Sequence, residues 1–119
     1  MPVYVDDMRA KFGRYIMCHM IADSDDELHA MAAAIGVARR WHQAPPKHRS
    51  HYDIALTKRA AAVAAGAIEI TWRQTAMMTA RRSATGILGD PADAERWFNE
   101  RYEQVRAARA SAVSETTDP

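Results

Sequence analysis

The chain has 119 residues, a net charge of +1 and 48% hydrophobic residues. This length is typical of one domain with a single modest core, and the mixed composition excludes an intrinsically disordered chain. No apolar run approaches the ~18 residues of a membrane span, and the N-terminus lacks the features of a signal peptide. The single cysteine cannot form an internal disulfide, so we expect a protein of the reducing cytoplasm. Because no apolar span is present, we also expect no contact with a membrane.

The first half of the chain predicts two strands and a helix. Residues 3–5 and 15–21 are rich in β-branched, aromatic and apolar residues, and a short turn at 11–14 favours an antiparallel hairpin between them. Ser24 and Glu27 have the spacing of a capping box, and apolar residues at helical spacing then lead to Gly36. Residues 37–42 are predicted to form a third strand, parallel to the second, after a right-handed crossover.

The second half predicts mainly helices. Residues 44–50 form a loop, Asp53 caps a helix that ends near Gly66, and alternating apolar residues at 68–72 indicate a strand. Residues 73–89 show no clear element and are interpreted as a mobile connection. Asp90 then caps a long helix over 90–110, and the polar tail 111–119 is predicted to be disordered. Together, these elements predict a small single α/β (α+β) domain whose core spans 1–72. It would have a mixed sheet of about four strands, two packed helices and a long C-terminal helix.

Three aspartates are candidate metal ligands. Asp6 and Asp7 follow the first strand and Asp23 follows the second, and carboxylates at strand ends often hold Mg²⁺ or Mn²⁺. Adjacent side chains of a strand point to opposite faces, so only one of Asp6 and Asp7 is expected to face a given site. The alternative is that these aspartates form turns or cap the next segment.

His19 is a candidate general acid or base. The alternation of the second strand places His19 on one face and Cys18 on the other, so the pair does not converge on one metal, and Cys18 is expected in the core. The unperturbed pKa of a histidine side chain is about 6.5, which in general suits proton transfer near neutral pH. The alternative is a hydrogen-bonded histidine of the core.

A second set of candidates lies at 51–59. His51, Tyr52 and Asp53 precede the second predicted helix, whose N-terminus would attract phosphate. Lys58 and Arg59 follow within two turns and could contact the same anion. Arg40 and Trp41 offer a guanidinium and a stacking face for a nucleotide, or else simply a surface charge and a core aromatic.

Several segments in this order resemble one known family. The resemblance is carried by VYVDDMRA (3–10), MCHMIAD (17–23), ELHAMA (27–32), IGVARRWHQ (35–43), HYDIALTKRAAA (51–62) and GAIEITW (66–72). They are similar to the domain of unknown function family 4031, which comprises small bacterial, archaeal and phage proteins. The resemblance covers residues 3–72 and implies that His19 and His51 belong to a shared site, but it implies no particular substrate.

The leading hypothesis is a site that binds a phosphorylated small molecule or nucleotide. His51, Tyr52, Lys58, Arg59, Arg40 and Trp41 would contact this ligand. Asp6, Asp7 and Asp23 would hold Mg²⁺ or Mn²⁺, and His19 or His51 would act as acid or base if the phosphoester is hydrolysed. The alternative is a non-catalytic module that sequesters a nucleotide or contacts another protein. DNA binding is a weaker interpretation, because residues 54–65 offer few side chains for base edges. The aromatic stripe of the C-terminal helix favours a homodimer.

Overall fold

The computed structural model describes residues 2–116, and side chains through residue 112. Five strands form one mixed sheet: β1 (Val3–Val5), β2 (Ala10–Phe12), β3 (Tyr15–Ala22), β4 (Tyr52–Ala55) and β5 (Ile68–Glu69). Four α-helices surround it: α1 (Asp25–Ala34), α2 (Leu56–Ala64), α3 (Trp72–Thr85) and α4 (Pro91–Thr116). The predicted α+β class is confirmed, with one more strand and one more packed helix than the sequence indicated.

β3 is the centre of the sheet, because three strands pair with it. β1, β2 and β4 are all antiparallel to β3, and only β5 is parallel to its neighbour, β1. The register shifts between β1, where Val5 faces Met20, and β2, where Ala10 faces Met17. Residues 6–9 therefore leave the ladder, and Asp6 is the first residue of this break.

The alternation of β3 separates two cores, one on each face of the sheet. Cys18 and Met20 are buried with residues of α1 and α2, whereas Ile21 is buried with residues of α3 and α4. This confirms the prediction that Cys18 belongs to the core and that His19 lies on the opposite face. His19 therefore lies on the side of the sheet that α3 covers.

Two predicted helix starts are confirmed. Ser24 Oγ accepts a hydrogen bond from the Glu27 N–H at 3.2 Å, and the carboxylate of Asp90 accepts from the N–H groups of Ala92 and Asp93. Each side chain satisfies donors that the first turn of a helix cannot satisfy itself.

Two predictions around residues 37–53 are wrong. Residues 37–42 form no strand, but contain the 3₁₀ turn Arg39–Trp41, so the parallel crossover does not exist. Asp53 does not cap a helix: it lies in β4 opposite His19, and α2 begins three residues later after Ala55. Residues 52–55 form a strand instead of a helix start because Tyr52 and Ile54 can then bury their side chains in the core beside Cys18.

The predictions for residues 73–89 and for the tail are also corrected. Residues 72–85 are the helix α3, which begins with a capping box between Thr71 and Gln74 and ends at Gly86 in the left-handed conformation. α4 continues through Thr116, so residues 111–116 are helical, and 117–119 lie outside the described residues. Within residues 2–116, none of the helices combines the length and the hydrophobicity of a transmembrane span.

Candidate metal centre

The buried carboxylate of Asp6 orients the ring of His19. Asp6 is fully buried, and its Oδ2 lies 2.7 Å from His19 Nδ1. Its Oδ1 accepts the backbone N–H of His19 at 2.9 Å, and Oδ2 also accepts the hydroxyl of Thr75 at 2.9 Å. Because an ionised carboxylate can only accept, Nδ1 of His19 must carry the proton, and in the neutral ring Nε2 then presents its lone pair.

The local break in the sheet explains how a carboxylate comes to be buried here. The side chain of Asp6 accepts the His19 N–H that a strand carbonyl would otherwise accept, while the carbonyl of Asp6 accepts from Arg59 Nε at 2.8 Å. Burial by itself would raise the pKa of Asp6. The hydrogen bonds from the side chain and backbone of His19 and from Thr75 outweigh burial, so this pKa lies below its ordinary value.

His51 and Asp53 form the second half of the site. Nδ1 of His51 donates to the carbonyl of Arg49, and Nε2 of His51 lies 3.4 Å from Asp53 Oδ1. Gln43 holds the other oxygen of Asp53 through a 2.7 Å hydrogen bond. The hydrogen bond with Asp53 raises the pKa of His51, and the same contact lowers the pKa of Asp53.

These side chains converge on one point. One ligand atom each of His19, His51 and Asp53 lies within 4.8 Å of the other two, and no other set of three such residues does so among the described residues. His19 Nε2 lies 3.9 Å from Asp53 Oδ1, and the two imidazole rings lie 5.5 Å apart. His19 and His51, which the sequence predicted to share a site, therefore lie beside each other in the structure. β3 supplies His19 and β4 supplies Asp53, which pairs directly with His19 across the ladder, while His51 immediately precedes β4.

A cleft of about 510 Å³ opens beside this cluster. Its walls carry hydroxyl groups from α3 and cationic or imidazole side chains from the 3₁₀ turn Lys47–Arg49. Besides His19 and His51, the polar residues that line it are His48, Arg49, Thr75, Thr79 and Ser83. A ligand in this cleft would meet hydrogen-bond donors and positive charge beside His19 and His51.

The other two predicted metal ligands lie elsewhere. Asp7 is exposed, and its Oδ1 accepts the Trp72 N–H at the start of α3 at 2.7 Å. Asp23 lines a separate cleft with Asp25, Lys47 and Arg82. Asp6, Asp7 and Asp23 thus do not form one ligand set among the described residues, and only Asp6 touches the cluster.

The predicted phosphate ligands are also dispersed. Tyr52 is buried on the opposite face of the sheet, where its hydroxyl is hydrogen-bonded to His29 Nδ1 at 2.7 Å. Arg59 supports the carbonyl of Asp6 and forms an ion pair with Glu69 at 2.9 Å, while Lys58 reaches towards Gly36. These residues do not line the cleft beside His19.

Arg40 and Trp41 are exposed in the 3₁₀ turn Arg39–Trp41. The guanidinium of Arg40 lies 5.3 Å from the centre of the Trp41 ring, so the two side chains stack on each other. They do not line the cleft either.

A hydrogen-bonded network fixes the segment that carries His51. Ser50 is buried, donates to Asp25 Oδ1 at 2.5 Å and accepts from His42 Nε2 at 2.7 Å. The ring of His42 lies 4.5 Å from that of His29, which contacts Tyr52. The network ties the first turn of α1 to the residues on both sides of His51.

Sequence reasoning assigned Asp53 only the role of a helix cap, and it missed the cleft residues of α3 and of the turn 47–49. An aspartate before a predicted helix is typical of a helix cap. This interpretation hid the alternation of a strand, in which Asp53 lies between the buried residues Tyr52 and Ile54. The helical spacing of Thr75, Thr79 and Ser83 was the available signal for the cleft wall, because residues four apart share one face of a helix.

The comparisons with known proteins identify the family. Residues 3–83 match the model of a family described as protein of unknown function (DUF4031), and the chain belongs to this family. The match extends beyond residue 72 and ends inside α3, so it includes Thr75 and Thr79. No curated protein and no solved structure matches the chain.

Proposed function

We propose that this protein binds a divalent transition metal through His19, His51 and Asp53, and that the metal centre binds and hydrolyses a phosphorylated small molecule. The observation that carries the proposal is the state of the two histidines. Each Nδ1 donates to a fixed acceptor, which leaves both Nε2 atoms to face Asp53 Oδ1. Metal-binding histidines commonly donate their second ring nitrogen to a carboxylate or backbone carbonyl in this way.

The donor set favours a metal that accepts imidazole. Two nitrogens and one carboxylate suit Zn²⁺, Mn²⁺ or Fe²⁺ better than Mg²⁺, which prefers oxygen ligands. Mn²⁺ is therefore retained from the two metals that the sequence suggested. A metal cation could bind between His51 Nε2 and Asp53 Oδ1 in place of the proton that these two groups share when His51 is protonated.

The cleft supports an anionic ligand. Arg49 can donate to phosphate oxygens through its guanidinium, while Thr79, Ser83 and His48 add shorter donors around the same space. A metal in this site would supply Lewis acidity and lower the pKa of bound water. The chain itself would orient the phosphoryl group between Arg49 of the turn Lys47–Arg49 and the imidazole rings of His19 and His51.

Calorimetric titration with Mn²⁺, Zn²⁺, Fe²⁺ and Mg²⁺ tests the metal centre. We expect binding of a transition metal by the full chain and a loss of at least tenfold in affinity for Asp53→Asn, which removes the anionic ligand. Asp7→Asn is the matched control, because Asp7 is an exposed aspartate outside the cluster, and it should bind the metal normally. Equal losses in both variants, or no binding of any of these metals, would refute the proposed centre.

Incubation with phosphomonoesters and with nucleoside mono-, di- and triphosphates then tests hydrolysis. The metal-loaded protein should release inorganic phosphate, and Asp53→Asn should not. Ligands that bind but are recovered intact would instead support the sequestering function considered from the sequence.

A further inference from the structure

The cleft beside the metal centre adjoins a second cleft. The first has a volume of about 510 Å³, and the second, which Asp23 lines, has a volume of about 520 Å³. His48 and Ser83 line both clefts, so the two spaces meet at these side chains. Each volume is typical of a small-molecule site, roughly 300–1,000 Å³. The two clefts therefore offer room for a ligand much larger than a phosphate group.

The helix α3 forms a continuous wall along both clefts. Its residues from Thr75 to Ser83 contribute to the first cleft, and those from Arg82 to Gly86 contribute to the second. At 1.5 Å per residue, this wall is about 16 Å long. The turn Lys47–Arg49 also contributes side chains to both clefts. A ligand held at the metal centre can therefore extend along α3 into the second cleft.

The second cleft carries side chains of both charges. Aspartates at 23, 25 and 26 line it together with Lys47 and Arg82. The carboxylates would repel a phosphate, and the two cations would repel an ammonium group. Hydroxyl groups both donate and accept hydrogen bonds, so a neutral group with several hydroxyls can bond to the carboxylates and to the cations at once.

The side chain of Arg82 has donors available to a ligand in this cleft. Arg82 lines the cleft although it is only 9% exposed. Its Nη2 donates to the carbonyls of Ala22 and Asp23, and it is the only nitrogen of this guanidinium that donates to the part of the chain that the structure describes. Buried donors require acceptors, and the oxygens of a sugar supply them without adding charge.

We infer that the second cleft binds the alcohol part of the substrate and that the substrate is a sugar phosphate. This inference rests on the proposed function, which places the phosphoryl group at the metal centre. Asp25 already accepts from Ser50, so Asp23 and Asp26 are the exposed carboxylates of this cleft. They accept from hydroxyls of the sugar, as acidic residues do from the ribose of bound dinucleotides.

Other phosphate esters suit the second cleft less well. The base of a nucleotide stacks best on a large aromatic ring, and no Phe, Tyr or Trp of residues 2–116 lines either cleft. An alkyl chain would displace water from the charged side chains without replacing its hydrogen bonds. A sugar replaces those bonds.

Four esters presented to the metal-loaded full chain test this inference. They are glucose 6-phosphate, butyl phosphate, 2-aminoethyl phosphate and adenosine 5′-monophosphate. We expect a preference of at least tenfold for glucose 6-phosphate over each of the other three. The preference is taken from kcat/KM where phosphate is released and from Kd where the ester stays intact, so the test does not require turnover.

A double variant shows whether the preference arises in the second cleft. Asp23→Ala combined with Asp26→Ala should reduce the ratio between glucose 6-phosphate and butyl phosphate to about one. Asp93→Ala combined with Glu100→Ala is the matched control, because it removes two exposed carboxylates of α4 that line neither cleft. The control should keep the tenfold ratio. Thermal unfolding followed by circular dichroism verifies that both variants are folded.

Three results would overturn the inference while leaving the proposed function intact. Glucose 6-phosphate and butyl phosphate could be used equally well, or 2-aminoethyl phosphate or adenosine 5′-monophosphate could be preferred. The third is a preference that both double variants retain, which would place the sugar outside the second cleft. A metal-loaded protein that neither binds nor hydrolyses any of the four esters would overturn the proposed function and this inference together.

Discussion

Asp6 controls which nitrogen of His19 is available to a metal. Its carboxylate accepts from Nδ1 at 2.7 Å and from the backbone N–H of the same residue at 2.9 Å. We expect Asp6→Asn to lower metal affinity by roughly 10- to 100-fold, as mutations of such supporting groups do. The amide can donate to Nδ1, and this favours the tautomer in which Nε2 carries the proton and cannot bind metal.

A matched variant separates this effect from a loss of packing. Thr75→Val removes another hydrogen bond to Asp6 Oδ2, of 2.9 Å, but leaves the bond between Asp6 and His19 in place. Calorimetric titration of both variants should give a much larger loss for Asp6→Asn. If the two variants lose affinity equally, Asp6 acts through general packing and not through the tautomer of His19.

Asp25 provides a prediction of pH-dependent stability. The hydrogen bond from the Ser50 hydroxyl lowers the pKa of Asp25 below its ordinary value of 3.8, and burial opposes this effect only partly. A lowered pKa in the folded state means that the charged form stabilises the fold. This contribution is complete above the unfolded pKa and is lost as pH falls through the folded pKa.

Asp25→Asn should therefore reduce the free energy of unfolding by about 1.5 kcal/mol at neutral pH, the scale of a hydrogen bond to a charged group. The difference from wild type should shrink below about pH 4, near the ordinary pKa of an aspartate. Urea denaturation at several pH values measures both quantities. A difference that stays constant down to pH 2 would show that the charge of Asp25 is not the cause.

At the scale of elements, α3 is expected to be the wall of the cleft and not a source of metal ligands. Thr71 Oγ1 accepts the Gln74 N–H at 3.1 Å, and the Gln74 side chain accepts the Thr71 N–H at 2.9 Å. Thr71→Ala removes the first of these bonds and should cost about 1 kcal/mol of stability. Metal affinity should remain that of wild type, because all three ligands lie in β3, in β4 and in the residue before β4, outside α3.

Denaturation and metal titration on the same Thr71→Ala preparation check this separation. Ser24→Ala is a suitable comparison, since Ser24 caps α1 through an equivalent bond of 3.2 Å to the Glu27 N–H. Both variants should lose similar stability. A clear loss of metal affinity in Thr71→Ala alone would show that α3 contributes to the metal centre.

The elements also show what the sequence could predict. α1 was predictable because Ser24 and Gly36 mark its ends locally, and the faces of β3 followed from simple alternation at Cys18 and His19. α3 was missed because much of its sequence is polar, and the residues it buries include Thr75 and Arg82. The burial of Arg82 depends on the carbonyls of Ala22 and Asp23, some 60 residues away, which no local pattern reveals.

The candidate site was predictable only in part, for the same reason. His19 and His51 could be selected from their residue types, but their meeting depends on the pairing of β4 with β3, between residues more than 30 positions apart. Asp53 shows most clearly what local sequence cannot predict. The residues around Asp53 suit a helix cap equally well, and only the tertiary pairing with His19 favours the strand.

At the scale of the whole molecule, the proposed metal centre links parts of the chain that are distant in sequence. β3 supplies His19, β4 supplies Asp53, and His51 precedes β4 in the segment that Ser50 ties to α1. A metal that binds only the folded state stabilises it by mass action. With free metal at 100 times its dissociation constant, the free energy of unfolding should increase by about 2.7 kcal/mol.

This prediction distinguishes a preformed centre from adventitious binding to histidines. Denaturation with and without saturating Mn²⁺ or Zn²⁺ should show the full increase in wild type and in Asp7→Asn. Asp53→Asn should show little increase, because the anionic ligand is missing from an otherwise similar fold. His48→Ala should retain the increase, since His48 lines the cleft but is not one of the three clustered ligands. Stabilisation that depends equally on His48 and Asp53 would mean that the metal lies elsewhere in the cleft.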